Sequence, residues 1–494
     1  MIYAVAIPLA LILGFLVSDL NSFSLALLSG IILVLVSPLL FKWHHALAIF
    51  FWNAAFNAFF LPGSPDIWLV FAIFSLGVSL LNHIMFQTKF LSVPEMNWAL
   101  FILGAVVIMT AIYRGGISVR ALGGSSYGGR YYWYLLGGIM GYFALTAKRI
   151  PISSSKRMTN LFFLSGITYV LGNIVYVLGP SFYFFYYFVQ AGSAVGQAAS
   201  DAGTATVNRI QGLAEPSLAI FCYLLVHYGI RGLLNWSRPW RFLFLLATVG
   251  TSFFAGFRSI LALMVLIFAF QLYFERLLKT RYLPAVAAVG ICVLAPVLFF
   301  SDKMPPVVQR ALSILPVKVS PEARDDANAS TEWRKQMWGT VWKDVPRYLI
   351  AGKGYAFDPS DMYLTTEAIR MGLLNSYEQA LLGGDYHNGP LSVIIPFGIP
   401  GVAAFLLVLS VGGWVLYSNF RYGDPRLQRI NTVLLSYYMA FGVLFFLIFG
   451  AFNSQLYIFL GLIGFGVSLN GGVRRAPVVR AKSLPVPALA ALGS

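Results

Sequence analysis

The stretch YHNGPLSVIIPFGIPGVAAFLLVLS, from Tyr386 to Ser410, holds the change of character that decides the fold. A long polar stretch, Ser301 to Tyr386, precedes it, and the apolar run Leu391 to Val408 begins almost at once. A helix needs roughly 17–25 apolar residues to cross a bilayer, and this run has that length. His387-Asn388 therefore stands where a polar loop gives way to a membrane helix. An imidazole at such a boundary can exchange protons with a substrate that is half lipid and half water-soluble.

Similar runs recur on both sides of the loop. The chain has 494 residues, 59% of them hydrophobic and 11% charged, with a mean hydropathy of +0.76. A soluble domain carries about a quarter charged residues. The fold class is thus an all-α polytopic membrane protein, because a membrane barrel would show short alternating segments instead. Fourteen spans are predicted: Ile2–Ser18, Ser22–Phe41, Ala46–Leu61, Ile67–Phe86, Asn97–Tyr113, Tyr132–Ala147, Asn160–Leu178, Leu213–Gly229, Phe242–Gly256, Ser259–Phe274, Leu283–Phe300, Leu391–Tyr417, Asn431–Gly450 and Ser454–Leu469. The first has no basic n-region and no small-residue cleavage site, and reads as a retained helix. The organisation expected is eleven spans in residues 1–300, an outer loop at 301–389, three spans in 390–470 and a disordered cytoplasmic tail at 471–494.

The net charge of +16 points to loops held at an anionic membrane face and not to nucleic acid. With the N-terminus inside, the inner segments hold 19 of the 34 basic residues, from Lys42 to Lys482, against Glu95, Glu275 and Asp424. That sorting is expected to put both termini inside and the Ser301–Tyr386 loop outside. The exception is Arg114, Arg120 and Arg130, which land outside around a glycine-rich turn, Gly123 to Gly129. Another outer segment carries the aromatic run Phe182 to Phe188, which reads as an interfacial belt or, more sharply, as a lid over a lipid-linked substrate. Within the long loop, Thr331 to Asp344 is predicted as a short helix with Trp333, Met337, Trp338, Val341 and Trp342 on one broad face, ended by Pro346. Asp361 to Leu382 is predicted as a second, broken by Gly383-Gly384.

His387 is the one external histidine of five. His44 and His45 are placed in an inner loop, and His83 and His227 near inner ends of spans. Arg209, Arg258 and Arg334 come from separate segments yet all fall near the outer boundary. Singly, such arginines anchor helices. Together they suit a diphosphate, because guanidinium binds phosphate oxygens bidentately and stays charged. Lys335 and Lys353 are weaker candidates. External acids, including Asp325-Asp326, are scattered and read as solvated, so no metal site is expected. Cys222 and Cys292 lie in apolar runs and read as reduced packing residues. Gly352-Lys353-Gly354 is too short for a phosphate loop and reads as a turn.

His387-Asn388, nine residues and then Gly398-Ile399-Pro400-Gly401 resembles the His-Asn-x9-Gly-x-x-Gly pattern of the O-antigen ligase and polysaccharide polymerase superfamily. Arg334-x-x-x-Trp338 with Gly352-x-Gly354 is similar to the start of that family's outer loop, Arg209-x-x-Gly212 with Pro216 to its Arg-x-x-Gly segment, and Gly256-Phe257-Arg258-Ser259 to its Arg-Ser turn. The likeness covers roughly Arg209 to Gly401. One departure is Ala262, where the family often has leucine.

The resemblance implies a membrane-embedded glycosyltransferase of class C type in the bacterial inner membrane, with a periplasmic loop. Its donor would be a glycan on undecaprenyl diphosphate, and its acceptor a glycan or lipid A-core. It implies His387, with Asn388 beside it, as general base or as the group that orients the hydroxyl, Arg209, Arg258 and Arg334 on the leaving diphosphate, and no cofactor. A lipid-linked oligosaccharide flippase or other transporter is the rival class. Transporters show pseudo-symmetric halves, whereas this chain has one asymmetric outer loop.

Overall fold

The computed structural model describes residues 22–117, 128–203 and 207–476, together with residues 8, 10–12 and 14. Within these the chain is nearly all helical, and two isolated bridges, Phe56 with Val189 and Asn57 with Asp66, are the only extended pairings among the described residues. Nine of the described helices are long and apolar enough to cross a membrane. Two shorter apolar helices, Trp240–Phe254 and Arg258–Phe274, and Gly129–Thr146 lie among them.

The expected span list needs correction near its start. Ser22–Phe41 and Ala46–Leu61 are not two spans, because one helix, Ser22–Phe51, runs through the supposed loop. His44 and His45 are buried, not loop residues. His44 Nδ1 lies 2.9 Å from Ser75 Oγ, and His45 Nε2 donates to the Leu145 carbonyl at 2.9 Å. Polar side chains that find partners on neighbouring helices do not interrupt a span. Lys42 also lies on this helix and not in a loop. The expected first span falls almost wholly outside the described residues, as do Arg120, most of the Gly123–Gly129 turn and the tail from residue 477.

Small residues let the bundle close. A Cβ at Gly141 would meet the Trp52 ring at 2.4 Å, and one at Gly461 would meet its Nε1 at 2.0 Å. The Trp52 indole is thereby wedged between two helix backbones, the kind of close approach that glycine allows in membrane bundles.

The long loop holds more helix than its periodicity suggests. One helix, Pro321–Tyr348, starts ten residues before the expected Thr331 and passes Pro346. Ser320 caps it by accepting from the Ala323 N–H, and Pro321 takes the first position, where no N–H is needed. Pro346 lies inside the helix, two residues before its end, and has no N–H to give the Trp342 carbonyl. Met337 and Val341 are buried on its inner face, but Trp342 is 68% exposed and lies off that face. The expected second helix divides into Pro359–Arg370 and Glu378–Leu382. Gly372, with φ +73°, breaks it first.

The loop is fastened to the bundle by a break in the membrane helix Gly389–Tyr422. Gly398 is non-helical there, with φ +63°. Pro400 has no N–H to give the Pro396 carbonyl, so that carbonyl is left open inside a membrane helix. The turn at Gly352-Lys353-Gly354 fills the gap. Gly354 N–H donates to Pro396 O at 3.0 Å, Lys353 N–H to Ile395 O at 2.7 Å, and Ile399 N–H to Leu349 O at 2.7 Å. Glycine is required on both sides, since a Cβ at Gly352 would stand 2.1 Å from Pro396 O and one at Gly398 would stand 2.6 Å from Leu349 O.

Candidate active site

The same helix start positions His387. Asn388 is its N-cap and accepts from the Leu391 N–H at 3.0 Å. His387 itself is in the left-handed region, with φ +47°, where a side chain is strained by about 1–3 kcal/mol. Its ring is clasped between Trp333, 5.4 Å away on the loop helix, and Phe449, 5.3 Å away on the segment after Gln428–Leu447. Nδ1 is buried with no hydrogen-bond partner. The Asp385 carboxylate stands 3.6 Å from it, just beyond hydrogen-bonding reach. Burial lowers the imidazole pKa from its ordinary value, Asp385 opposes that shift and the nearby Arg334 charge adds to it. The ring is thus neutral at neutral pH and able to accept a proton.

The three expected arginines converge on the loop helix Pro321–Tyr348. Arg209 Nη2 contacts both Asp326 carboxylate oxygens, at 2.9 and 2.6 Å. Arg258 Nη2 lies 3.4 Å from Ala327 O and from Thr331 Oγ1. Arg334 is on the helix itself, one further turn along the face of Ala327 and Thr331. Gly256 makes the meeting possible, because a Cβ there would stand 2.8 Å from Arg209 Cδ.

A fourth guanidinium was not foreseen. Arg310, with a side chain only 6% exposed, pairs with Asp326 and donates to Gly256 O at 2.7 Å. Asp326 is therefore not solvated, as sequence suggested, although its neighbour Asp325 is exposed. Burial, followed by the charge of Arg310, lowers the pKa of both Arg209 and Arg334. Arg209 and Arg310 pair with the Asp326 carboxylate, and neither Arg258 nor Arg334 has a carboxylate within salt-bridge distance among the described residues, so the cluster has positive charge to spare. Lys335 is exposed, and Lys353 interacts with Asp344 and Arg347 instead.

A cavity of about 330 Å³ joins the two groups, with Arg334 and His387 on its wall. Phe257 and Ser259 line it on either side of Arg258. Its inner wall carries Asn53, Tyr169, Glu215, Tyr437, Gln455 and Tyr457, a polar set from five separate segments that no motif announced. Glu215 alone had a signal, as an acid inside an apolar run. Asp385, two residues before the histidine, was also within reach of sequence reading. Among the described residues no group of three or more His, Cys, Asp or Glu side chains could hold a metal.

Residues 242–406 match the family model described as O-antigen ligase. The resemblance to the O-antigen ligase and polysaccharide polymerase superfamily is shown over that segment, which contains Arg258, Arg310, Arg334, His387 and Asn388. Arg209 precedes it. No curated protein matches the chain. The O-antigen ligase segment begins near Trp240–Phe254 and ends inside Gly389–Tyr422, so it spans the loop together with the membrane helices that hold it.

Proposed function

We propose that the protein transfers a glycan from undecaprenyl diphosphate to a sugar hydroxyl at the periplasmic face of the inner membrane, with the 301–389 loop outside. The observation that carries this reading is that His387 and Arg334 wall one cavity, with Arg209, Arg258 and Arg310 gathered behind them. The acceptor oxygen attacks the anomeric carbon and gives its proton to His387. The bond from that carbon to the diphosphate oxygen breaks, and undecaprenyl diphosphate leaves with the electron pair.

Nδ1 is buried without a hydrogen-bond partner, so Nε2 is the atom left to take the proton, and the Asp385 carboxylate, 3.6 Å from Nδ1, favours the imidazolium that forms. Guanidinium charge takes up the charge on the departing diphosphate without a metal ion. Asp326 holds Arg209 and Arg310 in place and offsets part of their repulsion. The cavity lies at the small end of the usual range of ligand pockets, about 300–1,000 Å³, and its hydroxyl, amide and carboxyl groups suit sugar hydroxyls. A ligase with a lipid A-core acceptor and a polymerase of repeat units share this step.

The test is transfer in proteoliposomes from a lipid-linked glycan to a sugar acceptor, scored per folded protein. His387→Ala should lower the rate about 10²–10⁴-fold, the usual worth of a general base. Wild-type rates from that variant would remove His387 from the chemistry. Loss of wild-type activity on adding a chelator would remove the metal-free clamp.

A further inference from the structure

A cleft of about 900 Å³ lies at the other end of the bundle from His387. Helices Ala214–Leu233, Arg258–Phe274, Gly389–Tyr422 and Gln428–Leu447 each have one end near the cavity and the other near this cleft. A helix of twenty residues rises about 30 Å, so the two sites are a membrane thickness apart.

Arg231, Arg241, Arg276, Arg421 and Arg429 converge on the cleft. None of the five has a carboxylate within salt-bridge distance among the described residues. The one acid in the wall, Glu275, is engaged elsewhere. Its Oε1 accepts from the Ile230 N–H at 3.1 Å and from the Gln271 amide at 2.7 Å. That first bond caps a helix break at Gly229, where φ is +60°, and so fixes the turn bearing Arg231. Arg241 lies with its guanidinium 4.1 Å over the Tyr228 ring, and its Nε is buried without a partner.

The cleft does not end at its charges. Arg231 also lines a second cavity, of about 760 Å³, whose wall includes Leu233, Leu234 and Phe242. Those three continue into a third, of about 160 Å³, which reaches Leu245 and Leu294 on the apolar faces of the bundle. A preference for basic residues at one membrane face explains their number. It does not explain their convergence, an orphaned guanidinium nitrogen or an apolar channel leading away from them.

We propose that this cleft binds an anionic phospholipid, with the headgroup phosphate among Arg231, Arg276 and Arg421 and an acyl chain along Phe242 and Leu245 toward Leu294. Basic pockets between membrane helices suit phosphate headgroups, and guanidinium forks bind them bidentately. The proposal is independent of the glycan-transfer chemistry.

The experiment is native mass spectrometry of the full chain in detergent, titrated with short-chain phosphatidylglycerol, short-chain phosphatidylcholine or inorganic phosphate. Phosphatidylglycerol should bind at least tenfold more tightly than either of the others. Arg231→Gln/Arg421→Gln should weaken it at least tenfold, and both side chains are exposed, so the fold should tolerate the change. Arg276→Gln/Arg421→Gln repeats the test without touching the Gly229 break. Equal binding of the two lipids, or phosphatidylglycerol binding unaltered in both variants, overturns the site. Binding of inorganic phosphate as tight as that of the lipid overturns the lipid as its occupant.

Discussion

Gly354 donates its backbone N–H to the carbonyl of Pro396 at 3.0 Å, so a turn of the long polar loop completes the hydrogen bonding of a broken membrane helix. The helix break begins eleven residues after His387. Loop and histidine are thus held in one frame, and Gly352 and Gly398, one from each motif, are explained by close backbone contact.

Replacing those glycines should loosen that frame. Gly398→Ala puts a Cβ 2.6 Å from Leu349 O at a backbone angle costing about 1–2 kcal/mol for an L-residue. Gly352→Ala collides with Pro396 O. Both variants should lose at least tenfold in transfer, and limited proteolysis should cut the 321–382 region faster. Gly250→Ala, with open space around it, should leave both measurements unchanged.

Asp326 should matter to stability more than its place in a loop suggests. Asp326→Ala leaves the Arg310 guanidinium, 6% exposed, without its carboxylate. Stranding a buried charge costs about 3–5 kcal/mol. A clear fall in thermal unfolding midpoint is expected. Asp325→Ala, at an exposed position, should stay within about 0.5 kcal/mol of the parent. Equal effects of the two would show that the Asp326 pair is not formed.

Transfer should depend on pH through His387. The base works when neutral, and burial lowers its pKa from 6.5. The midpoint of the acid limb should therefore lie below 6.5. Arg334→Gln removes a neighbour that lowers the pKa, so the acid limb should move to higher pH. Asp385→Asn removes the neighbour that raises it, so the limb should move lower still. The midpoint of the limb, not the residual rate, is the readout. Identical midpoints in all three proteins would assign the titration to another group.

Orientation can be read with single cysteines in a background lacking Cys292. Ser360 and Ser237 are both exposed, the first in the long loop and the second between Ala214–Leu233 and Trp240–Phe254. An impermeant thiol reagent added to spheroplasts should label position 360 and spare 237. The reverse pattern would place the cavity at the cytoplasmic face and end the lipid-linked donor reading.

Composition and run length by themselves determined the class of this protein. Within a bilayer only helices and closed barrels satisfy the backbone, and apolar runs of this length fit the helix. His387-Asn388 was legible because it sits at the one junction where polarity changes abruptly, Arg209 and Arg258 because each stands at the edge of an apolar run, and Arg334 because it lies on an amphipathic stretch of the loop. What only the tertiary structure decided was partnership. Arg209 and Asp326 lie 117 residues apart, and no local pattern distinguishes Asp326, held by two arginines, from exposed Asp325. His44 and His45 read as a loop because their partners, Ser75 and the Leu145 carbonyl, belong to other helices. The tyrosines of the cavity were hidden for the same reason, whereas Glu215 carried a signal as an acid inside an apolar run. Periodicity reports which face of a helix is apolar, while the packing of helices against one another sets which polar groups meet, and there the site is made.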